Sequence, residues 1–334
     1  MKLCGFLLGL VLGTLSFGAS AEPPIVIRFS HVVARDAPKG QAAEFFAKRA
    51  GELTKGKVRV EVYPDSTLYK DKEELEALQL GAVQMLAPSV SKFGPLGVKE
   101  FEVFDLPYIF PDTAALRKVT DGPIGKDLFK KLEPKGIVGL AYWDNGFKIM
   151  SANRPLHKPD DFLGLKMRIQ SSKVLESQMK ALGAVPQVMA FSEVYQALQT
   201  GVVDGTENPP SNMYTQKMNE VQKYATISNH GYLGYAVIVN KKFWDGLDAT
   251  IRGQLEKAMA EATAYANEIS QKENDDALAA MKATGKTEFY ELTPDEKKAW
   301  IKALLPVHKE NTSRVGKDII AEIYKETGMK NENN

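Results

Sequence analysis

The chain has 334 residues, with 43 Lys and Arg against 42 Asp and Glu, four histidines and a single cysteine. That balance excludes the broad positive field that holds nucleic acid, so any preference for an anion must come from local placement of basic residues. The lone cysteine, Cys4, excludes disulfides and Cys-rich zinc sites within the chain.

At the N-terminus, Lys2, an apolar stretch over residues 3–17 and the small residues Ala19-Ser20-Ala21 predict a secretory signal peptide over residues 1–21. Cleavage after Ala21 would deliver a mature protein beginning at Glu22 to the periplasm. The stretch is shorter than the ~20 residues a bilayer-spanning helix needs, and no later segment comes closer. Cys4 precedes the stretch, so it is not a lipid-anchored cysteine, and the mature chain carries no thiol. Roughly 300 residues are enough to bury the cores of two domains.

Residues 25–31 form a β-rich run, and residues 42–53, behind Pro38, an amphipathic helix. The alternation repeats with a strand at 58–63, a helix at 72–80 and a buried strand at 83–87. Strands alternating with helices predict a parallel or mixed sheet covered on both faces. Ligands of such sheets sit beyond the carboxyl ends of the strands, which makes His31 and Pro88-Ser89-Val90-Ser91 candidates. A second set begins around 137–142 and 147–150, continues through 165–170 and helices at 172–182 and 191–200, and is followed by a strand at 232–240.

From residue 249 to about 281 one long helix is expected. Its apolar stripe runs through Ile251, Leu255, Ala258, Ala262, Tyr265 and Ile269, meets Lys272 and Glu273, and resumes at Ala277, Leu278 and Met281. A helix packed on one body by its first half and on another by its second fits this break. So does an ordinary surface helix with a solvated middle.

Enzymatic constellations are thin. The chain has no Gly-x-Ser-x-Gly, no His-Glu-x-x-His and no phosphate-cradling glycine loop. His31, His157, His230 and His308 lack metal-ligand spacing, and the adjacent acids Asp160-Asp161 and Asp275-Asp276 fit solvated charge. No enzyme, cofactor or metal site is predicted. In residues 164–172, Leu165, Met167 and Ile169 alternate against Lys166, Arg168 and Gln170, so Arg168 shares a strand face with polar neighbours. On pattern alone a solvent-facing side is the simpler account. Residues 189–200 fit a helix capped by Ser192. A short strand ending at Asn208 follows, and Pro209-Pro210 would fix the asparagine amide in place, although a purely structural loop accounts for it equally.

These segments occur in order with Phe104-Asp105-Leu106-Pro107-Tyr108, Gly164-Leu165-Lys166-Met167-Arg168, Asn219-Glu220-Val221-Gln222-Lys223 and Asn240-Lys241-Lys242-Phe243-Trp244. On that basis the chain resembles the substrate-binding subunits of tripartite ATP-independent periplasmic (TRAP) transporters, most closely the C4-dicarboxylate-binding DctP type, over essentially all of the mature chain. The resemblance implies an α/β periplasmic-binding-protein fold of two discontinuous domains with a central cleft and a long helix spanning both. Residues 22–145 plus 235–272 would form domain 1, and residues 146–234 plus 273–330 domain 2. It further implies a monomer that closes on a dicarboxylate of the malate, succinate or fumarate class and delivers it to integral-membrane permease subunits.

The resemblance also implies site roles. Arg168 would form a salt bridge with a ligand carboxylate, which the paired donors of a guanidinium suit. Asn208 would bind the same carboxylate and Phe191 would wall the site. Lys148 stands where sialic-acid-binding relatives carry a second arginine, a departure that fits the dicarboxylate branch together with Trp143-Asp144-Asn145-Gly146-Phe147. His31, Lys72 and Ser89 would line the opposite wall, Ser89 where some sialic-acid binders have a glutamate. Tyr235, at the returning crossover, and more loosely Asn212 complete the set. Lys72, Lys148, Ser89 and Tyr235 are expected to share the second carboxylate.

Overall fold

The computed structural model describes residues 23–329, so the expected signal peptide and Cys4 lie outside the described residues. Eleven strands in this region form two sheets. In the first, β1 (Ile25–Ser30), β2 (Val58–Tyr63), β3 (Met85–Leu86), β4 (Ile137–Phe147) and β10 (Tyr232–Asn240) are ordered β2-β1-β3-β10-β4. β1 runs parallel to β2 and β3, and β10 antiparallel to β3 and β4. The second sheet contains β5 (Ile149–Ala152), β6 (Lys166–Ile169), β7 (Val185–Val188), β8 (Gly205–Asn208), β9 (Tyr224–Ile227) and β11 (Glu288–Glu291). Its order is β11-β9-β5-β8-β6-β7.

The first sheet is buried on both faces, as alternation along β10 shows. Val237 and Val239 join Ile27, Phe29, Trp143 and the helix residues Phe46 and Leu255 on one side. Ala236 and Ile238 face Leu78, Leu86, Phe101 and Leu116 on the other. All nine residues of β10 are buried, so this strand reads as a continuous apolar run rather than an alternating one. The second sheet behaves likewise, with Ile149 packing among Phe191, Val194 and Met281, and its neighbour Met150 among Phe162, Met167 and Trp300. The result is a two-lobed α/β architecture with a cleft between the lobes.

The chain passes from the first sheet to the second between Phe147 and Ile149, and back between Ile227 and Tyr232. A third connection is the helix Ala249–Thr284. Its buried residues are Ile251, Leu255, Ala258, Met259, Ala262, Ala266, Ser270, Asn274, Ala277 and Met281. Apart from the adjacent pair Ala258 and Met259 they are spaced by three and four, and they form one unbroken stripe. The expected change of face at Lys272 and Glu273 is therefore corrected: the polar break consists of Ser270 and Asn274, which stay on the buried side. Asn274 donates to Asn145 O at 2.7 Å and accepts from Ser211 N at 2.9 Å, pinning the helix to the crossing. Gly146 makes room for it, since a Cβ there would lie 2.7 Å from Asn274 Nδ2.

The C-terminal segment departs from the expected assignment of 273–330 to the second domain. Val307, Val315, Ile320 and Ile323 pack among Phe101, Leu116 and Val119 of the first lobe. Arg314 pairs there with Glu102, and His308 Nε2 lies 2.7 Å from Pro107 O. Apolar burial thus carries the last helices back to the lobe where the chain began.

Candidate functional site

Between the lobes lies a small, partly enclosed cavity. The first lobe contributes Val32 and Val33 beyond β1, Lys39 from helix α1 (Pro38–Leu53), Asp71 ahead of helix α2 (Glu74–Gln79), Ser89 and Lys92 beyond β3, and Leu233 and Tyr235 from β10. The second lobe contributes Arg168 and Gln170 at the end of β6, Phe191, Asn208 at the end of β8, and Asn212. Carboxyl ends of parallel strands meet the cavity from both sides, as the general rule for α/β sheets requires.

Arg168 is buried, not solvent-facing, at 2% exposure. Its Nε and Nη2 both donate to Met189 O, at 3.1 and 2.9 Å, which fixes the guanidinium plane, and its Cζ lies 5.7 Å from the centre of the Phe191 ring. Burial lowers its pKa, against the pull of Asp71 and Glu207. Asn208 sits beside it on the neighbouring strand, held by a 3.4 Å contact to Thr206 Oγ1. Tyr235 receives its hydroxyl contacts from Asn145 Nδ2 at 2.6 Å and Asn212 Nδ2 at 3.3 Å, so the crossing strand and the second lobe share one buried amide network. Ser89 forms an antiparallel bridge with Tyr235 beyond the end of β3.

Two lysines absent from the expected set face the same cavity. Lys92 pairs with Asp71 and, at 2.7 Å, with Glu74. Burial opposes its charge, but these two carboxylates prevail and raise its pKa. Burial also opposes the charge on Asp71, yet Lys92 and Arg168 hold that carboxyl at about 2. Lys39 is 1% exposed, donates to Ala87 O at 2.9 Å, and lies 3.8 Å from the centre of the Tyr235 ring. Among the described residues, Arg168 and Lys39 line the cavity without a carboxylate at salt-bridge distance. One signal in the sequence pointed to Lys39: a cation directly behind Pro38 at the start of α1 lies against the helix macrodipole, where side-chain cations are disfavoured.

The structure thus brings Ser89, Arg168, Phe191, Asn208, Asn212 and Tyr235 together, and leaves three expected residues outside. Lys72 is exposed, and its neighbour Asp71 is the residue that turns inward. His31 is fully buried behind the cavity wall, and neither ring nitrogen meets a protein partner. Burial and the proximity of Lys39 depress its pKa to about 3. Lys148, expected to meet the ligand, does not line this cavity. Its Nζ lies 2.6 Å from Glu207 Oε1, while His230 Nε2 lies 2.8 Å from Glu207 Oε2 and Ser228 Oγ 2.7 Å from His230 Nδ1. Its ammonium is already matched inside a buried structural triad. Among the described residues no cluster of His, Cys, Asp and Glu is arranged to hold a metal ion, and no helix is long and apolar enough to cross a membrane.

A small polar cavity with cations on both walls suits an organic anion, and comparison with known proteins agrees. Residues 29–314 match the family described as bacterial extracellular solute-binding protein, family 7. The C4-dicarboxylate-binding periplasmic protein DctP of Rhodobacter capsulatus is 72% identical over 309 residues, which cover 92% of this chain and 92% of that protein. A TRAP periplasmic solute binding protein from Sulfurospirillum deleyianum, solved with bound succinate, is similar at a TM-score of 0.87 and 49% identity, over 90% of this chain and 98% of that chain. Another from Pseudomonas aeruginosa, with bound L-malate, gives a TM-score of 0.84 and 44% identity over 86% of this chain and 100% of that chain. Since the match runs through both lobes and the strands that cross between them, the chain belongs to the bacterial extracellular solute-binding proteins of family 7.

Proposed function

We propose that this protein is the exported, periplasmic binding component of a TRAP transporter, which captures a C4-dicarboxylate of the succinate, malate or fumarate class and passes it to membrane permease subunits. The observation that carries this reading is the pair Arg168 and Lys39: two buried cations without carboxylates of their own, one on each wall of a single small cavity. A dianion entering the cavity loses hydration, and these groups replace it. Arg168, with Asn208 beside it, takes one carboxylate, and Lys39, with Ser89 near it, takes the other. Charge-assisted hydrogen bonds contribute about 1.5–3 kcal/mol each, so a handful supports micromolar binding at roughly −8 kcal/mol after ordering costs. The succinate and L-malate held by the two solved relatives, and the name of the Rhodobacter protein, support the same ligand class.

Binding from two walls makes the lobes the functional domains. We place their boundaries between Phe147 and Ile149 and between Ile227 and Tyr232, where the chain changes sheet, with the last helices riding on the first domain. The signal peptide would be cleaved after Ala21. Family membership makes the protein a binder of solutes rather than an enzyme.

Calorimetric titration with succinate, L-malate and fumarate, beside butyrate as a monocarboxylate of the same length, tests the assignment. Saturable binding of at least one dicarboxylate and none of butyrate is expected. Saturation by a monocarboxylate or a sugar acid, with no heat from any of the three dicarboxylates, would reject it.

A further inference from the structure

Lys39 is held in surroundings that disfavour its charge. It occupies the first turn of α1, where backbone N–H groups and the helix dipole oppose a cation. It is excluded from water, and its partners are the Ala87 carbonyl and the face of Tyr235. The charged and titratable groups around it come from every neighbouring element. His31 lies at the end of β1, and Lys92 follows β3. Glu74 of α2 and Asp71 ahead of it both pair with Lys92 rather than with Lys39. The Tyr235 hydroxyl is engaged by Asn145 and Asn212, and Arg168 stands on the other wall. A buried ammonium beside a second ammonium, with no carboxylate of its own, is the arrangement that releases a proton most readily.

We propose that capture of a dicarboxylate is coupled to protonation of Lys39, so that a fraction of the unloaded protein, growing as pH rises, carries a neutral amine, whereas the loaded protein carries an ammonium facing a ligand carboxylate. This rests on the dicarboxylate assignment above and adds a proton to it. Burial first, and then Lys92, lower the Lys39 pKa from 10.5 to about 7, with Glu74 and Asp71 acting in the opposite direction. An incoming carboxylate supplies the missing counter-charge and raises it again. The sign follows from linkage: between the two pKa values the loaded protein holds more protons than the unloaded one, so affinity falls as pH rises above about 7. The limiting slope is about tenfold in affinity per pH unit. Arg168, always charged, has no such dependence.

Succinate titrations by calorimetry in phosphate and in Tris, two buffers of different ionisation enthalpy, count the protons directly. At pH 8 the wild-type protein should take up about one proton per succinate, and at pH 7 about half of one. Lys39→Arg, which carries a permanent charge, should take up none at either pH, whereas Glu74→Gln should retain the uptake. Should Lys39→Arg fail to fold, lysine labelled at the ε-carbon in the wild-type protein gives the same answer by NMR. One signal should titrate near pH 7 without succinate and far higher with it. Saturable succinate binding with no proton uptake at pH 8, or uptake that survives in Lys39→Arg, overturns the coupling and leaves the dicarboxylate assignment standing. Failure of every dicarboxylate to bind overturns both.

Discussion

Glu207 is the acceptor at the centre of the second lobe's buried charges. Burial pushes its carboxyl up, but Lys148 and the hydrogen bond from His230 outweigh it and hold the group at about 2. The lysine stem reaches it by passing over Gly231, where a Cβ would stand 2.9 Å from Lys148 Cε. Removing one partner of such a pair strands a buried charge and typically costs about 3–5 kcal/mol. Lys148→Met is therefore expected to lower stability by about that amount in urea unfolding at pH 7, rather than to alter the preference for dicarboxylates. The folded carboxyl is depressed relative to its unfolded value of 4.5, so the triad's contribution is complete above that pH and is lost as pH falls toward 2. The deficit of the variant should shrink along the same range. An unchanged urea midpoint at pH 7 would show that Lys148 is free to serve the ligand after all.

At the scale of elements, the turn before α2 reaches across the cleft to the 3-10 turn Phe191–Glu193. Asp71 accepts from Phe191 N, and Lys70 lies 3.3 Å from Glu193. Asp71 also holds Lys92 on its own lobe, so one carboxylate ties both walls together. Asp71→Asn should weaken succinate and L-malate binding by a similar factor, about tenfold, and speed release of both, because it removes a closure contact rather than a ligand contact. Stopped-flow release rates check this; a loss confined to one ligand would place Asp71 in direct recognition instead. How far such elements were legible in the sequence depended on what each residue type ordinarily does. The apolar run of β10 and the long helix announce themselves by periodicity. Arg168, Phe191 and Asn208 emerged from motif resemblance, since a lone arginine on an alternating strand carries no sign of burial. Lysine is an outside residue by default, so nothing in the pattern marks Lys92, and only the position of Lys39 in its helix argues for a buried role. Asn274 is hidden for a related reason: a small polar residue in a helix looks solvated until a crossing strand is seen to use it.

Across the whole molecule, the crossing strands and the long helix join the lobes on one side, while the cavity and the Asp71 strap lie between them. A ligand that contacts Arg168 and Lys39 together gains its full set of contacts only when the lobes meet, so it favours the closed arrangement. Small-angle scattering should give a smaller radius of gyration with saturating succinate than without it. An identical profile at saturation proven by calorimetry would remove domain closure from the mechanism. The return of the C-terminal helices to the first lobe has a kinetic consequence. Arg314 closes on Glu102 across 212 residues, His308 on Pro107 across 201, and β10 enters the middle of a sheet whose other strands precede it by many tens of residues. Contacts of such long range are entropically slow to form. A chain still emerging has a first lobe without the interior strand β10, its covering helices and the arginine for Glu102, so these long-range contacts wait for its last residues, which fits the export proposed above.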